Sequence, residues 1–191
     1  MMSRSVHVLA VSVLATIVTS SALATDYTID LSHSFIQFRT KHLGFSWLSG
    51  RFNSFEGSMA YDPSAGPEAQ SIELTIEAAS LDTNHQERDE NLRSADFFNV
   101  DEYPEITFTS TGYQGDAEGG TLTGALTLLG VTKEVAFDVK KIGEGEDLWG
   151  DYRAGFEGRY VLTRSDFGMD YDLGSSAEQV EIDLWIEGVR N

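Results

Sequence analysis

The chain contains no cysteine and has few basic residues. Its 191 residues include 13 Lys and Arg against 31 Asp and Glu, which gives a formal net charge of −18. Without cysteine there can be no disulfide, no thiol nucleophile and no lipid-modified cysteine after an N-terminal leader. The acidic balance argues against binding to nucleic acid and to anionic lipid surfaces, because both require cations. Taken by itself, the charge indicates solubility and nothing more.

Short motifs of catalysis and metal binding are also missing. The sequence contains no nucleophile elbow, no phosphate loop and no dinucleotide-binding glycines. The three histidines after residue 24, His33, His42 and His85, do not have the spacing of zinc or haem ligands. We therefore expect no catalytic residue, no metal and no cofactor, and we expect a binding protein and not an enzyme.

The first 24 residues are typical of a secretory signal peptide. Arg4 is followed by an apolar run from Val6 to Val18 and then by Ala22-Leu23-Ala24, a small-residue cleavage site. The apolar run is too short for a stable membrane span. The remainder, residues 25–191, suits one domain of ordinary size. We predict export through a cleavable signal peptide and a periplasmic location.

Apolar and polar residues alternate along most of this remainder. Ile72, Leu74 and Ile76 share one face of a strand, and the residues between them are polar. The same period of two recurs in four later segments, residues 122–128, 135–139, 154–160 and 180–186. About eight strands can be drawn, separated by polar, glycine-rich turns. This pattern predicts an all-β fold, either a sandwich or an up-and-down antiparallel barrel.

Two segments interrupt the alternation. We predict a short helix around residues 85–94, capped by Thr83 or Asn84, and the aromatic pair Phe97-Phe98 follows it before the chain becomes extended at Tyr103-Pro104. The other segment, Lys41 to Leu48, mixes two basic side chains with four large apolar ones. We interpret it as a loop or short helix at one end of the fold, either a plug or a ligand gate.

The order of these features resembles the YceI-like family of lipocalin-like, polyisoprenoid-binding barrels. Besides residues 80–110, the resemblance rests on four segments and extends from Asp26 to about Glu187: His33-Ser34, Gly50 to Gly57, Leu126 to Val135 and Arg164 to Gly168. It implies a barrel of about eight antiparallel strands. It also implies that a long isoprenoid or fatty-chain lipid, of the quinone or polyprenyl phosphate type, is enclosed lengthwise for storage, transport or presentation.

Strand phase and the family pattern together indicate the ligand-binding residues. We expect an aromatic and aliphatic wall made of Phe35, Phe38, Phe52, Phe97, Phe98, Phe108 and Leu128. Among the polar candidates at the mouth, His42 and Arg93 are the ones we assign to the head group, Arg93 because a guanidinium suits a phosphate or quinone oxygen. For Arg88 and Asp89 we favour a structural ion pair in the helix. A homodimer or a redox partner at the membrane is a further expectation.

Two other functions fit the same residues. In the first, the barrel is filled by its own side chains, and a stress-response or interaction protein acts through its acidic surface or through the segment from His42 to Trp47. In the second, an enzyme acts on an isoprenoid or a saccharide through Asp89, His85 or His33. A bound lipid would support the binding protein, and its persistent absence would support the filled barrel.

Overall fold

A computed structural model describes residues 24–191, so that the predicted signal peptide lies outside the described residues except for Ala24. This part of the chain is mostly strand, with one α-helix and four short 3₁₀ helices. None of the helices in this range is long and apolar enough to cross a membrane. The elements are β1 Thr25–Ile29, β2 Phe35–His42, β3 Ser46–Phe52, β4 Phe55–Tyr61, β5 Ser71–Glu77, β6 Leu81–Asp82, α1 Gln86–Arg93, β7 Glu105–Gly115, β8 Gly119–Leu128, β9 Val131–Glu146, β10 Tyr152–Thr163 and β11 Gln179–Arg190.

Eight of these strands close into an antiparallel barrel. The order around the barrel is β1-β4-β5-β7-β8-β9-β10-β11, and β11 pairs with β1 to complete the ring. Most neighbours in the ring are also neighbours in sequence, as expected when short polar turns connect antiparallel strands. The predicted all-β, eight-stranded, lipocalin-like barrel is therefore confirmed.

The edge of β11 that faces away from β10 is shared by two strands. Its C-terminal part pairs with β1, from Gly188 to Arg190, and its N-terminal part pairs with β2, from Val180 to Trp185. At the crossover between them, the buried Ser34 hydroxyl donates to the Glu187 carbonyl and accepts from the Glu187 N–H. The branch β2-β3-β6 thus completes the wall at one end, and β1 completes it at the other.

Each end of the barrel has its own set of covering residues. We call the helical end the one formed by α1, the tip of the β2-β3 hairpin at residues 43–45 and the segment 169–177. We call the tyrosine end the one where Tyr27, Tyr61 and Phe156 pack together. The main core lies between them and is built from the inward-facing residues of all the long strands.

The helix and the hairpin correct two details of the sequence analysis. The helix lies within the predicted region, but its N-cap is His85, whose Nδ1 accepts from the Arg88 N–H, and Asn84 instead has positive φ. Residues 41–48 are neither a loop nor a short helix. They form a β-hairpin, in which only residues 43–45 turn, because the pairing of β2 with β3 continues from Ile36–Phe52 to His42–Ser46.

Candidate functional site

The barrel encloses an elongated cavity of about 880 Å³. It extends from Leu92 and Tyr171 at the helical end to Tyr61 and Phe156 at the tyrosine end. The strands place one side chain in two toward this space, so its wall is largely apolar. The aliphatic lining consists of Ile36, Leu48, Ile72, Leu74, Ile76, Ile106, Leu122, Leu126, Val135, Val139, Leu162, Val180, Ile182, Leu184 and Ile186.

Two groups of aromatic rings line the cavity. Near the helical end, the Phe52 ring centroid lies 5.5 Å from that of Phe38 and 5.8 Å from that of Phe98. On the opposite wall, the Phe137 centroid lies 5.7 Å from that of Phe108 and 6.0 Å from that of Tyr160. These tilted and edge-on contacts hold the rings against the wall instead of letting them fill the interior.

Six of the nine predicted ligand-binding residues line this cavity: Phe38, His42, Phe52, Phe97, Phe98 and Phe108. Phe35 does not. Its side chain is 43% exposed, because Phe35 and Phe38 are an odd number of residues apart in one strand and cannot share a face, and Ile36 lies inside instead. Leu128 is buried in the core at the end of β8, but it does not border the cavity.

Arg93 does not line the cavity either. Its guanidinium donates to the carbonyls of Ala79 and Leu81, at 2.8 and 2.7 Å, and so ties the end of α1 to the preceding chain. Arg88, for which we expected a structural role, does border the cavity, and its guanidinium donates to the hydroxyl and the carbonyl of Thr83. The phase of the helix explains why Arg88 and not Arg93 borders the cavity, since residues five apart in a helix do not point in the same direction.

The candidates for catalysis are not brought together. Asp89 is buried and accepts from the backbone N–H and the hydroxyl of Thr83, and His85 caps the helix. His33 lies on the turn between β1 and β2, where its Nδ1 is 2.8 Å from Asp30. Each of these side chains is thus engaged in a structural contact of its own.

Asp30, His33 and Glu187 bring their ligand atoms within 4.8 Å of one another, which is close enough to consider a metal ion. The Arg153 guanidinium already binds two of them, at 2.6 Å to Asp30 and 2.7 Å to Glu187, and it also binds Asp147. Hydrogen bonds from Ser32 and His33 hold the pKa of Asp30 well below its ordinary value. A cation held by three carboxylates occupies the place that a metal would take, so this cluster is an ion-pair network.

The tyrosine end contains a polar group that the sequence analysis missed. Tyr61 borders the cavity there, and Lys141 and Glu144 lie beside it. A β-bulge at Ile142 explains why both β9 side chains point inward: Lys141 is opposite Phe156, and Glu144 is opposite the fully buried Ala154. A regular strand would place residues 141 and 144 on opposite faces. The glycines at 143 and 145 were the only hint of this irregularity in the sequence.

Solved structures from other bacteria share this architecture. BcnA of Burkholderia cenocepacia is 25% identical, with a TM-score of 0.74 over 83% of this chain and 98% of BcnA. The YCEI protein of Campylobacter jejuni is 30% identical, with a TM-score of 0.72 over 79% of this chain and 90% of that one. A domain from Saccharophagus degradans, at 17% identity and a TM-score of 0.65, shares the fold over 89% of this chain and all of that domain.

Sequence relatives extend the likeness over nearly the whole chain. A UPF0312 protein of Pseudomonas aeruginosa is 51% identical over 171 residues, which cover 88% of this chain and 89% of the relative. A UPF0312 protein of Pectobacterium carotovorum is 49% identical over 183 residues, or 95% of this chain and 94% of that protein. The model of the YceI-like domain matches residues 27–188. The chain therefore belongs to the YceI-like family.

Proposed function

We propose that this protein is a periplasmic carrier that encloses one long isoprenoid or fatty-chain lipid inside its barrel. The observation that carries the proposal is the apolar cavity of about 880 Å³. Ligand pockets commonly have volumes of about 300–1,000 Å³, so the space is large enough for a substantial ligand. A barrel filled by its own side chains, the first alternative, would not leave such a cavity.

The chemistry of the wall favours a lipid over a polar ligand. Aliphatic and aromatic side chains provide most of the lining, and burial of each methylene contributes about 0.8 kcal/mol. The tail of a lipid would therefore supply most of the affinity. The solved domain from Saccharophagus degradans is described as a polyisoprenoid binding domain, which supports the compatibility of this fold with such a ligand.

The helical end is the entrance that we propose. His42, Leu43 and Arg88 border the cavity there, and the neighbouring Phe45 is 87% exposed at the tip of the hairpin. The apolar hairpin tip beside the opening would offer a lipid tail an apolar path past the charged side chain of Arg88. Binding without turnover is the role that fits, because Asp89, His85 and His33 are each engaged in structural contacts. A homodimer or a redox partner stays a prediction.

Native mass spectrometry tests the proposal most directly. The mature protein would be purified without detergent from a bacterial periplasm, and whatever is bound would be extracted into organic solvent. We expect a discrete added mass that extracts as an isoprenoid or fatty-chain molecule. A bare mass that persists after incubation with quinones and polyprenyl phosphates would overturn the proposal and favour the filled barrel.

A pair of matched variants ties the lipid to the cavity. Phe108→Glu places a carboxylate in the cavity wall, whereas Phe35→Glu makes the same change on the outer face of the barrel. We expect loss of the added mass for Phe108→Glu alone, with strand content checked by circular dichroism. Should Phe108→Glu fail to fold, Leu184→Trp fills part of the same space with apolar volume and should also reduce lipid retention. Lipid retained in both cavity variants would contradict the assignment.

A further inference from the structure

The tip of the β2-β3 hairpin exposes large apolar side chains beside the opening of the cavity. Leu43 is 60% exposed, Phe45 is 87% exposed and Trp47 is 43% exposed. Single exposed apolar residues are common on protein surfaces, but three of them within five residues form a patch, and such patches mark interaction sites. Leu43 also borders the cavity, so this patch is continuous with the proposed entrance.

The backbone at this tip has an unfavourable conformation for its sequence. Residues 42–45 form a turn in which the Phe45 N–H donates to the His42 carbonyl at 2.9 Å. Both central residues, Leu43 and Gly44, have positive φ, of 51° and 80°. Glycine and asparagine are the usual residues in such positions, because a larger side chain is strained there. Since Leu43 stays largely exposed, packing within the protein offsets little of this strain, and a contact outside the barrel would explain the leucine better.

The charge around the hairpin differs from that of the whole chain. The net charge of −18 argues against a lipid surface, but residues 31–55 contain no Asp or Glu, and three Lys or Arg side chains lie among them. The Lys41 ammonium lies 3.8 Å from the centre of the Trp47 ring, and the Arg39 guanidinium lies 4.5 Å from it. Arg39 is paired with Glu181, whereas Lys41 has no ion pair within the described part of the chain. The hairpin therefore presents an unpaired cation next to its apolar tip.

The order of these groups along the hairpin matches the layers of a lipid surface. Leu43 and Phe45 lie at the tip, and Trp47 follows two residues after Phe45, about 7 Å along a strand. Lys41 is directly opposite Trp47 in the strand pairing. Apolar side chains of interfacial segments penetrate about 5–10 Å, while Trp rings and Lys ammonium groups stay near the head groups. The tip would thus reach the acyl chains while Trp47 and Lys41 contact the head groups.

A second exposed apolar tip, in the turn between β9 and β10, has the opposite surroundings. Leu148 and Trp149 are 94% and 83% exposed there. Four of the eight residues 144–151 are Asp or Glu, and they would be repelled by an anionic surface. The turn is followed directly by Tyr152, which packs at the tyrosine end, away from the proposed entrance. Exposure of apolar side chains does not distinguish the two tips, but charge and position do.

We propose that the tip of the β2-β3 hairpin docks the protein on a phospholipid surface, with Leu43 and Phe45 inserted and with Lys41 and Trp47 at the head groups. Docking there would place the cavity opening against the bilayer, so that a lipid tail would pass between two apolar environments with little exposure to water. The carboxylates of α1 and of the segment 169–177 oppose attraction to anionic lipid, so the contact is reversible. This inference rests on the proposed function, because it gives the lipid carrier a route to its ligand.

Flotation with vesicles tests the inference. The mature protein would be mixed with vesicles of phosphatidylcholine, either alone or with about one third phosphatidylglycerol. We expect binding to both, stronger to the anionic vesicles and weakened there by salt. Phe45→Ser should lower the vesicle partition coefficient at least about tenfold, because it removes a ring that would be buried in the bilayer. Trp149→Ser is the matched control, since it removes a larger, similarly exposed side chain from the other tip.

A second pair of variants tests the contact with the head groups. Lys41→Gln should weaken binding to the anionic vesicles by about fivefold and should change binding to phosphatidylcholine alone much less. Lys140→Gln makes the same change in charge at an exposed position of β9 and is the control. Equal effects of the two substitutions would contradict the placement of Lys41 at the head groups.

Native mass spectrometry of the same preparations separates this inference from the proposed function. A wild type that carries lipid but floats with neither vesicle would overturn the docking inference, leave the carrier in place and favour a protein partner for the hairpin. Equal losses of vesicle binding in Phe45→Ser and Trp149→Ser would also overturn it, because binding would then not depend on this hairpin. A wild type that floats but retains no lipid would overturn the proposed function and leave the docking surface in place.

Discussion

The two ends of the barrel differ in how their polar side chains are satisfied. At the helical end, Arg93 donates to two backbone carbonyls, Asp89 accepts from Thr83, and the buried Arg164 donates to the carbonyls of Met169, Tyr171 and Ala177. At the tyrosine end, Tyr61 and Glu144 each keep a buried oxygen without a partner within the described residues. The charged groups at the first end are hydrogen-bonded within the fold, whereas two oxygens at the second end are buried without such a bond.

This difference reverses a natural expectation. The helix carries the conspicuous charges in the sequence, and the sequence prediction therefore places head-group recognition at this end, on His42 and Arg93. Buried charged groups that are fully hydrogen-bonded stabilise a structure, and a ligand gains little from them. Unpartnered buried groups cost free energy. We therefore expect substitutions of these hydrogen-bonded charged groups at the helical end to lower the free energy of unfolding.

The largest effect should come from Arg164→Met. Removal of the guanidinium leaves three backbone carbonyls without their donor, so the free energy of unfolding should fall by about 3 kcal/mol or more. Urea denaturation followed by circular dichroism measures the change. Arg159→Met is the control, because Arg159 is exposed and pairs only with Asp183. If the two variants had the same free energy of unfolding, the stabilising role of Arg164 at the helical end would be contradicted.

Asp89→Ala should have the next largest effect. The substitution leaves the buried Thr83 N–H and hydroxyl without their acceptor, and we expect a loss of about 2 kcal/mol in the free energy of unfolding. Glu90→Ala removes a neighbouring carboxylate that is exposed and bonds only to Gln86, so it is a matched control for helix propensity. A loss in Asp89→Ala no greater than in Glu90→Ala would contradict the structural role.

Arg88 and Arg93 sharpen the comparison within the helical end. Arg93→Met should lower the free energy of unfolding by about 1–2 kcal/mol without changing lipid affinity, because Arg93 bonds only to backbone outside the cavity. Arg88→Met should change both quantities, since Arg88 also borders the cavity. Thermal unfolding and titration with geranylgeraniol measure the two effects. A change in affinity for Arg93→Met with none for Arg88→Met would restore the assignment made from sequence.

The smallest effect concerns pH and the exposed His33, which lies at the edge of the ion-pair network at the turn between β1 and β2. The hydrogen bond to Asp30, and then its charge, raise the pKa of His33, with Glu187 adding to the effect and Arg153 opposing it. A raised pKa in the folded state stabilises the fold below the ordinary value of about 6.5, and this contribution disappears as pH rises through the folded value.

His33→Asn tests this contribution. The difference in Tm between the wild type and the variant should be present at about pH 5 and absent at about pH 9. Differential scanning calorimetry at both pH values measures it. A difference that grows as pH rises would mean that His33 stabilises the fold in its neutral form, contrary to its contact with Asp30.

Local patterns in the sequence predicted the elements well. The period of two in residues 72–78 corresponds to the strand Ser71–Glu77, and the helix predicted around 85–94 spans Gln86–Arg93. Of the six predicted ligand residues that border the cavity, four lie on strands, and the other two, Phe97 and Phe98, lie between α1 and β7, where alternation makes no prediction. Alternation did not show whether Phe35 faces inward or outward. The face that each residue of β2 occupies depends on how this strand pairs with β11, which is far away in the sequence.

The sequence alone determined an acidic chain without cysteine, a β-rich domain from the alternation of its residues, and the family to which it belongs. The tertiary structure decided that the ring closes through β1 and β11 around an open cavity, that Arg88 and not Arg93 borders it, and that a bulge at Ile142 turns Lys141 and Glu144 inward toward Tyr61. Periodicity depends on near neighbours in the chain, whereas closure, bulges and buried polar pairs depend on strands that are far apart in sequence and meet only in the folded barrel.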